Sequence, residues 1–576
     1  MQRHRQRPMF RISGMLPAAF FIAGFSAAAG MATPAGRFRI ADPGSTVLRC
    51  DYLIVAADSL IGPAMDLAEY RAQSRFDLVE SPLVCSMQEI AARFPGSGDA
   101  GQGLKEFLRF AITKWEQGPR RVLLIGDADT VNDPAPSMVP TRACSLAVSD
   151  DWLVTFDSLP AAAIGRIPAR TAEEAGNVIA KIISFERSFD DRRQDICVVT
   201  DDDAFRDSCV YAYSPYFTVA ENALGQAPPC FRPVKLHSIS YPLIGNSLKP
   251  RLEDDLLDEM NAGPFMICFF GHASRTQVWT HEHILVADSV VPKLRQGSLF
   301  IMGAFTCQNT AFQYSEWSIG EKFLFAPGAG AVAVFGSTGV RTGEYNDYLA
   351  YAVMHGLGSP DCDLGMLLLN AKTGSYAGGM DEVALLGDPA MVVRRGTISA
   401  AGAHSALASA ACDTQQIVFT TSETMDGFAE CRVLAAGPRT RGITPCGMAY
   451  DYASTPMVLA CDTVPVAQGR GSYALSRTAA MDSVDTLQIL ISSADSSGWY
   501  IGSILSVNSS PGAAAMPVPK DRVFGANGRH ANLCIINPVT GRLPGTRIFD
   551  ISGRKEMSAS PASRQAVRYT VLRPLP

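Results

Sequence analysis

The sequence predicts an α/β protein of parallel sheets flanked by helices, followed by β-only domains, and three observations carry that prediction. Short apolar runs without alternation recur between residues 50 and 395, with stretches of helical periodicity between them. Unbroken runs of that length suit strands buried on both faces of a parallel sheet. After Gly387-Asp388-Pro389 the pattern turns to alternating segments set among Ser, Thr and Gly, which suits an antiparallel sandwich of immunoglobulin type. The 576 residues, 47% apolar and 18% charged, suffice for three or four domains.

The chain opens with Arg3, Arg5, Arg7 and Arg11 ahead of the apolar segment Met15 to Ala29, the layout of a secretory signal peptide. About 15 apolar residues fall short of the roughly 20 that span a bilayer, so residues 1–29 are expected to be cleaved rather than to anchor the chain. Their loss takes the net charge from −6 to −10 and leaves no transmembrane domain. The mature protein is expected outside the cytoplasm, secreted or at the outer membrane or cell surface. With no basic block beyond this leader, a nucleic-acid partner is excluded.

Strand candidates follow in order at Tyr52–Ala56, Val122–Ile125, Cys197–Thr200, Val234–His237, Phe265–Phe270, Leu299–Ala304 and Ala331–Phe335. Helical patterns lie between them at Leu60–Arg75, Gly103–Glu116, Ala172–Arg187, Pro250–Asn261 and Ile319–Phe325, the third opened by an N-cap Thr171 and early carboxylates. Strand and helix in turn imply βαβ units in two consecutive sheets or one large one. The expected division is an N-terminal α/β subdomain at 38–190 and a catalytic one at 191–397. The sandwich takes 398–505, a Pro-containing linker 506–521 and a small C-terminal β module 522–576. Of fourteen cysteines, Cys412, Cys431, Cys446 and Cys461 cluster in the sandwich, where two bridges could form in any of three pairings.

Two strands run into acidic loops, Gly126-Asp127-Ala128-Asp129 and Asp201-Asp202-Asp203, at the strand ends where open α/β sheets place ligands. They are read as caps and solvated turns, with a structural calcium ion as the alternative. His281 and His283 make a weak metal start with no third ligand, and His237, His355, His404 and His530 lack polar company. His272 is different, because it leaves the run Phe265–Phe270 through Gly271. Thirty-five residues on, Cys307 leaves Leu299–Ala304 in the same way. If those strands are parallel neighbours, both side chains stand over one edge, placed as nucleophile and base. An imidazole beside a thiol of pKa about 8.5 makes thiolate available at neutral pH. Backbone N–H groups at Cys307 and just after His272 are the natural oxyanion donors.

The surrounding residues resemble the gingipain family of cysteine peptidases. The matching stretches are Ser149-Asp150-Asp151-Trp152, Ile164-Gly165-Arg166-Ile167-Pro168-Ala169-Arg170-Thr171, Phe270-Gly271-His272-Ala273-Ser274, Thr306-Cys307, Gly320-Glu321-Lys322-Phe323-Leu324 with Gly330-Ala331-Val332-Ala333, and Leu386-Gly387-Asp388-Pro389, in the family's order. The resemblance implies a caspase-like fold of two subdomains and a sandwich after Gly-Asp-Pro. It also implies a catalytic dyad at His272 and Cys307, with an oxyanion hole from the N–H groups of Ala273 and Cys307. Asp157, ahead of Ile164-Gly165-Arg166, falls where an acidic residue would select Arg or Lys, and Asp150 is the candidate to support the dyad. Part of the pattern around Thr306-Cys307 looks similar to the signal-peptidase or sortase-like members of type IX secretion. Ile548-Phe549-Asp550-Ile551-Ser552-Gly553-Arg554-Lys555 resembles the core of type IX sorting domains.

Three departures bear on the transfer. Ala273 replaces a Gly, so its donor depends on the backbone angles Ala can adopt. Thr306 replaces an Ala, and the leader is followed at once by the catalytic region, with no room for a long propeptide. The expectation is an exported cysteine endopeptidase acting on proteins or peptides, with secretion machinery as a further partner and no cofactor required. The competing class is a degenerate peptidase scaffold used as a surface-binding or structural protein.

Overall fold

The computed structural model describes residues 42–507 apart from short stretches, of which 129–137, 203–214, 375–381 and 402–413 are the longest. The expected leader and C-terminal module lie outside the described residues. Ten strands form one sheet: β1 Tyr52–Ala56, β2 Pro82–Ser86, β3 Arg121–Ile125, β4 Ala163–Ile167, β5 Asp195–Thr200, β6 Arg232–His237, β7 Met266–Phe270, β8 Leu299–Phe305, β9 Gly330–Ser337 and β10 Val383–Leu386. Their spatial order is β2-β1-β3-β4-β10-β9-β8-β7-β5-β6. Every neighbouring pair is parallel except β9 and β10, which are antiparallel from Val334↔Leu386 to Ser337↔Val383. The two subdomains expected from sequence therefore share one sheet, joined where Leu386 of β10 meets Arg166 of β4.

The central strands are buried along their whole length, as their unbroken apolar sequences require. The flanking helices are α1 Ile61–Gln73, α2 Ala100–Lys114, α3 Ala172–Arg187, α4 Pro215–Leu224, α5 Pro250–Ala262, α6 Ile319–Phe325, α7 Gly343–Gly356 and α8 Leu364–Thr373. Thr171 caps α3 through the Glu174 N–H at 3.2 Å, and the Glu174 carboxylate accepts from the Thr171 and Arg170 N–H groups. Helix α6 opens on a second capping box, Ser318 with Glu321. α3 packs on α1, α6 and β9, and α7 packs on α4 and α8.

The Gly-Asp-Pro motif is the bolt of the sheet. Gly387 has φ of +140°, and a Cβ there would stand 2.8 Å from that of Ala333, so glycine is required. Asp388 is fully buried and accepts from Tyr52 of β1 at 2.8 Å and from Arg71 of α1 at 2.9 Å. Arg71 also holds Glu186 of α3 at 2.9 Å. Burial pushes the Glu186 carboxyl up from its ordinary value while Arg71 pulls it down. Such a network needs every member, since removing one leaves a buried charge without its partner.

The second sheet contains β11 Ile398–Ala401, β12 Thr414–Thr421, β13 Gly427–Ala435, β14 Met457–Ala467, β15 Arg470–Ser476, β16 Thr486–Ala494 and β17 Trp499–Val507. It is antiparallel in the order β11-β12-β15-β14-β13-β16-β17. A bridge from Thr397 to Ile501 brings its two ends together around Phe419, Cys431, Tyr473, Ile489 and Tyr500. The last strand runs to Val507, two residues into the stretch expected as linker. Cys431 is a buried free thiol, so the two-bridge scheme for the four sandwich cysteines fails at that residue, and Cys412 and Cys446 lie outside the described residues.

The two sheets meet through buried polar groups. Both oxygens of Asp195, at the start of β5, are taken: one by Arg232 of β6 at 2.5 Å, the other by Arg432 of β13 at 2.9 Å. The Gln194 amide donates to the Cys230 and Ile491 carbonyls at 3.1 and 3.2 Å. A hairpin of Arg439–Ile443 and Ala449–Ala453 lies against β6 and α4, where Phe217 meets Tyr450, Tyr452 and His237 with ring centroids 5.0, 5.4 and 4.8 Å apart.

Candidate active site

Strands β7 and β8 are parallel neighbours in the register Phe270↔Phe305. Each candidate stands two positions past that pair, His272 after Phe270 and Cys307 after Phe305. Both residues leave their strands at the same edge, with His272 exposed and Cys307 half-buried. Gly271 makes the exit, and a Cβ on it would stand 2.5 Å from that of Asp201. Asp201, just past β5, accepts the His272 backbone N–H at 3.3 Å, and its own N–H donates to Phe270 O at 2.8 Å.

Beyond the histidine, Ala273 bridges Trp279 across a tight hairpin. The hairpin bonds run from Thr280 N to His272 O and from Ser274 N to Val278 O, at 2.8 and 2.9 Å. Ala273 is not among the residues of positive φ, so alanine adopts this backbone without strain. Among the described residues neither the Ala273 nor the Cys307 N–H has a hydrogen-bond acceptor. After Cys307 the chain turns sharply at Gln308, of φ +50°, whose N–H donates to Gly339 O at 3.0 Å. The Arg341 N–H donates to Cys307 Sγ at 3.4 Å, a contact that strengthens as the sulfur becomes anionic.

Trp279, which the sequence reading did not single out, ties the two exits together. It is fully buried, lies face to face with Phe269 at 4.2 Å, and donates Nε1–H to Asn309 Oδ1 at 2.9 Å. Tyr216, at the start of α4, was missed as well. Its hydroxyl lies 3.2 Å from His272 Nε2, with the two rings edge-on.

The other candidate residues take other places. Asp150 holds Arg166 in a bidentate pair, both contacts at 2.8 Å, and Arg166 reaches on to the Gly126 and Val139 carbonyls. Its carboxylate is thus occupied inside β4's packing, and Tyr216 stands at the imidazole instead. Asp157 is exposed on the loop that leads into β4. Because β10 opposes β9 while β4 follows β10, this loop belongs to the edge where β7 and β8 end. The preceding segment docks there, Val148 exchanging hydrogen bonds of 3.1 and 2.7 Å with the Thr338 hydroxyl just past β9. No described contact joins Asp157 to Cys307 or His272.

The described carboxylates of the acidic loops are not solvated, whereas Asp129 and Asp203 lie outside the described residues. Asp201 and Asp202 are buried, and Asp202 pairs with buried Lys249. Asp127 pairs with Arg170 at 2.8 Å, and burial raises its carboxyl above the ordinary value. Among the described residues no group of three or more His, Cys, Asp and Glu is placed to hold a metal ion. His283 is exposed, and His281 lies outside the described residues. His237 does have polar company: Thr200 Oγ1 at 3.1 Å from Nδ1 and Glu221 at 3.0 Å from Nε2. That order of hydroxyl, imidazole and carboxylate resembles a catalytic triad, but His237 and Thr200 are fully buried and no substrate reaches them.

Residues 45–394 match the family described as Peptidase family C25. No curated protein matches the chain in sequence. Among solved structures it is similar to the Arg-specific cysteine proteinase gingipain R (RgpB), at 15% identity and a TM-score of 0.50, covering 81% of this chain and 99% of that one. It is similar also to the complex of Porphyromonas gingivalis RgpB pro- and mature domains, at 15% identity and a TM-score of 0.49, covering 79% and 99%. Dimeric latent PorU from Porphyromonas gingivalis matches at 15% identity and a TM-score of 0.36, covering 82% of this chain and 44% of that one. At such identity the likeness to gingipain R speaks for the fold, and the family match carries the activity, hydrolysis of protein substrates by a cysteine-type peptidase. The chain belongs to peptidase family C25, the gingipain family of cysteine peptidases.

Proposed function

We propose that the protein is an exported endopeptidase working through a dyad of Cys307 and His272. The observation that supports this reading is the β7–β8 register Phe270↔Phe305, because His272 and Cys307 each follow their strand by two positions at the same sheet edge. The Cys307 thiolate attacks the peptide carbonyl, and the oxyanion that forms accepts from the Ala273 and Cys307 N–H groups. His272 gives its proton to the leaving amine, then takes one from the water that hydrolyses the thioester. Exposure of His272 and half-burial of Cys307 favour a working enzyme over a degenerate scaffold, since packing seals neither. Asp157, exposed on the same edge, is the acidic group offered to an Arg or Lys side chain. The seven-stranded antiparallel sheet is read as immunoglobulin-like, and the Arg-rich leader and the Ile548–Gly553 segment support export with a type IX sorting signal.

Cys307→Ala is expected to abolish cleavage of a peptide library and labelling by an acyloxymethyl ketone. A variant that still cleaves and labels like the parent would remove the assignment. In the same library, cleavage after Arg or Lys that is lost in Asp157→Asn identifies that carboxylate as the selector.

A further inference from the structure

We infer that Tyr216 is the positioning residue of the active-site histidine, accepting the His272 Nε2–H so that Nδ1 is presented to Cys307. This inference rests on the dyad reading. A His serves as base at one ring nitrogen only when the other is held, because the held nitrogen fixes both tautomer and ring angle. A phenol stands at that nitrogen here: Tyr216 Oη lies 3.2 Å from Nε2, and the ring stands edge-on to the imidazole at 5.5 Å between centroids.

The surroundings give the tyrosine this task. Charged and titratable groups come towards His272 from three other places in the fold. The Asp201 carboxylate comes from the end of β5 and is spent on the His272 backbone N–H. The Cys307 thiol comes from β8, and the segment after β9 brings Arg341, whose guanidinium lies 5.3 Å from the Tyr345 ring of α7. Asp150, the carboxylate expected from sequence to support the dyad, is held by Arg166.

Tyr216 is itself fixed from behind. Consecutive residues on a helix point about 100° apart, so Tyr216 can face the site while Phe217 faces the second sheet. Phe217 is wedged among His237, Tyr450 and Tyr452, and the Tyr452 hydroxyl meets Ser240 Oγ at 2.5 Å. The second sheet thus steadies the first turn of α4, and through Tyr216 the imidazole.

An acceptor at Nε2 stabilises the imidazolium, which is the form that protonates the leaving amine. Its removal lowers the imidazolium pKa, and activity is then lost earlier as pH rises. In Tyr216→Phe, which keeps the ring, kcat/KM is expected to fall about tenfold, and the alkaline limb of its pH profile to move down by about half a unit. Inactivation by the acyloxymethyl ketone should follow the same shifted profile. Tyr216→Gln, whose amide oxygen accepts, should return the limb towards that of the parent. An unshifted profile in Tyr216→Phe, with Cys307→Ala inactive, overturns the role of Tyr216 and leaves the dyad standing. Full activity in Cys307→Ala and His272→Ala overturns the dyad, and the positioning role with it.

Discussion

At the scale of single residues, the site is two strand exits held at fixed spacing, and Trp279 is the residue that spaces them. Its ring covers Phe269 on the histidine strand while its N–H holds Asn309 on the cysteine loop. Trp279→Phe keeps the stacking and strands a buried carboxamide oxygen, so stability should fall by about 1–3 kcal/mol in urea unfolding. kcat/KM should drop with it, while the pH profile stays in place, which separates this residue from Tyr216. The two strand exits at His272 and Cys307 were legible in the sequence because each follows an unbroken apolar run, a local signal. Trp279, Tyr216 and Asp201 were not, because each acts through a partner on another element: Asn309, His272 and the amide after Gly271. A solitary tryptophan in a short polar stretch was the one available hint, since a ring that size is seldom left in water.

At the scale of elements, α3 and α6 run over the very residues their periodicity and caps predict, while strands β2, β4 and β10 and helices α4, α7 and α8 were passed over. The strands have only four or five residues each. Helix α8, Leu-Gly-Met-Leu-Leu-Leu, is too uniformly apolar at its start to show a period. Asp363, whose carboxylate caps it through the Met366 N–H at 2.7 Å, was the readable signal. Helix α4 and strand β6 carry the buried His237, whose pKa is lowered, first by burial, against the pull of Glu221. A histidine depressed in the fold binds its proton more readily when unfolded, so this junction is most stable above about pH 6.5 and loses stability as pH falls below it. Urea midpoints at pH 7.5 and 5.5 should differ in the parent and converge in His237→Gln. Glu221, depressed from its own ordinary value, adds a separate loss at lower pH still.

For the molecule as a whole, one sheet and one buried ion network make the two α/β halves a single unit. Asp388→Ala would leave Arg71 facing Glu186 alone and Tyr52 without an acceptor. A cost of about 3–5 kcal/mol is expected, read as a lowered urea midpoint in a single transition that moves both halves together. Two separated transitions would show the halves to be independent. The sequence foretold parallel strands but left open one sheet or two, because antiparallel contact between β9 and β10 arises from connections that no local pattern records. That reversal has a consequence for how selectivity can change. His272 and Cys307 follow the ends of β7 and β8, whereas the loop bearing Asp157 leads into β4. The proposed dyad and the proposed selector thus belong to opposite ends of oppositely directed strands. With Asp157 as the proposed selector, insertions ahead of β4 would retune which peptide is accepted while the β7–β8 register goes untouched, so new preferences could be grafted onto old chemistry.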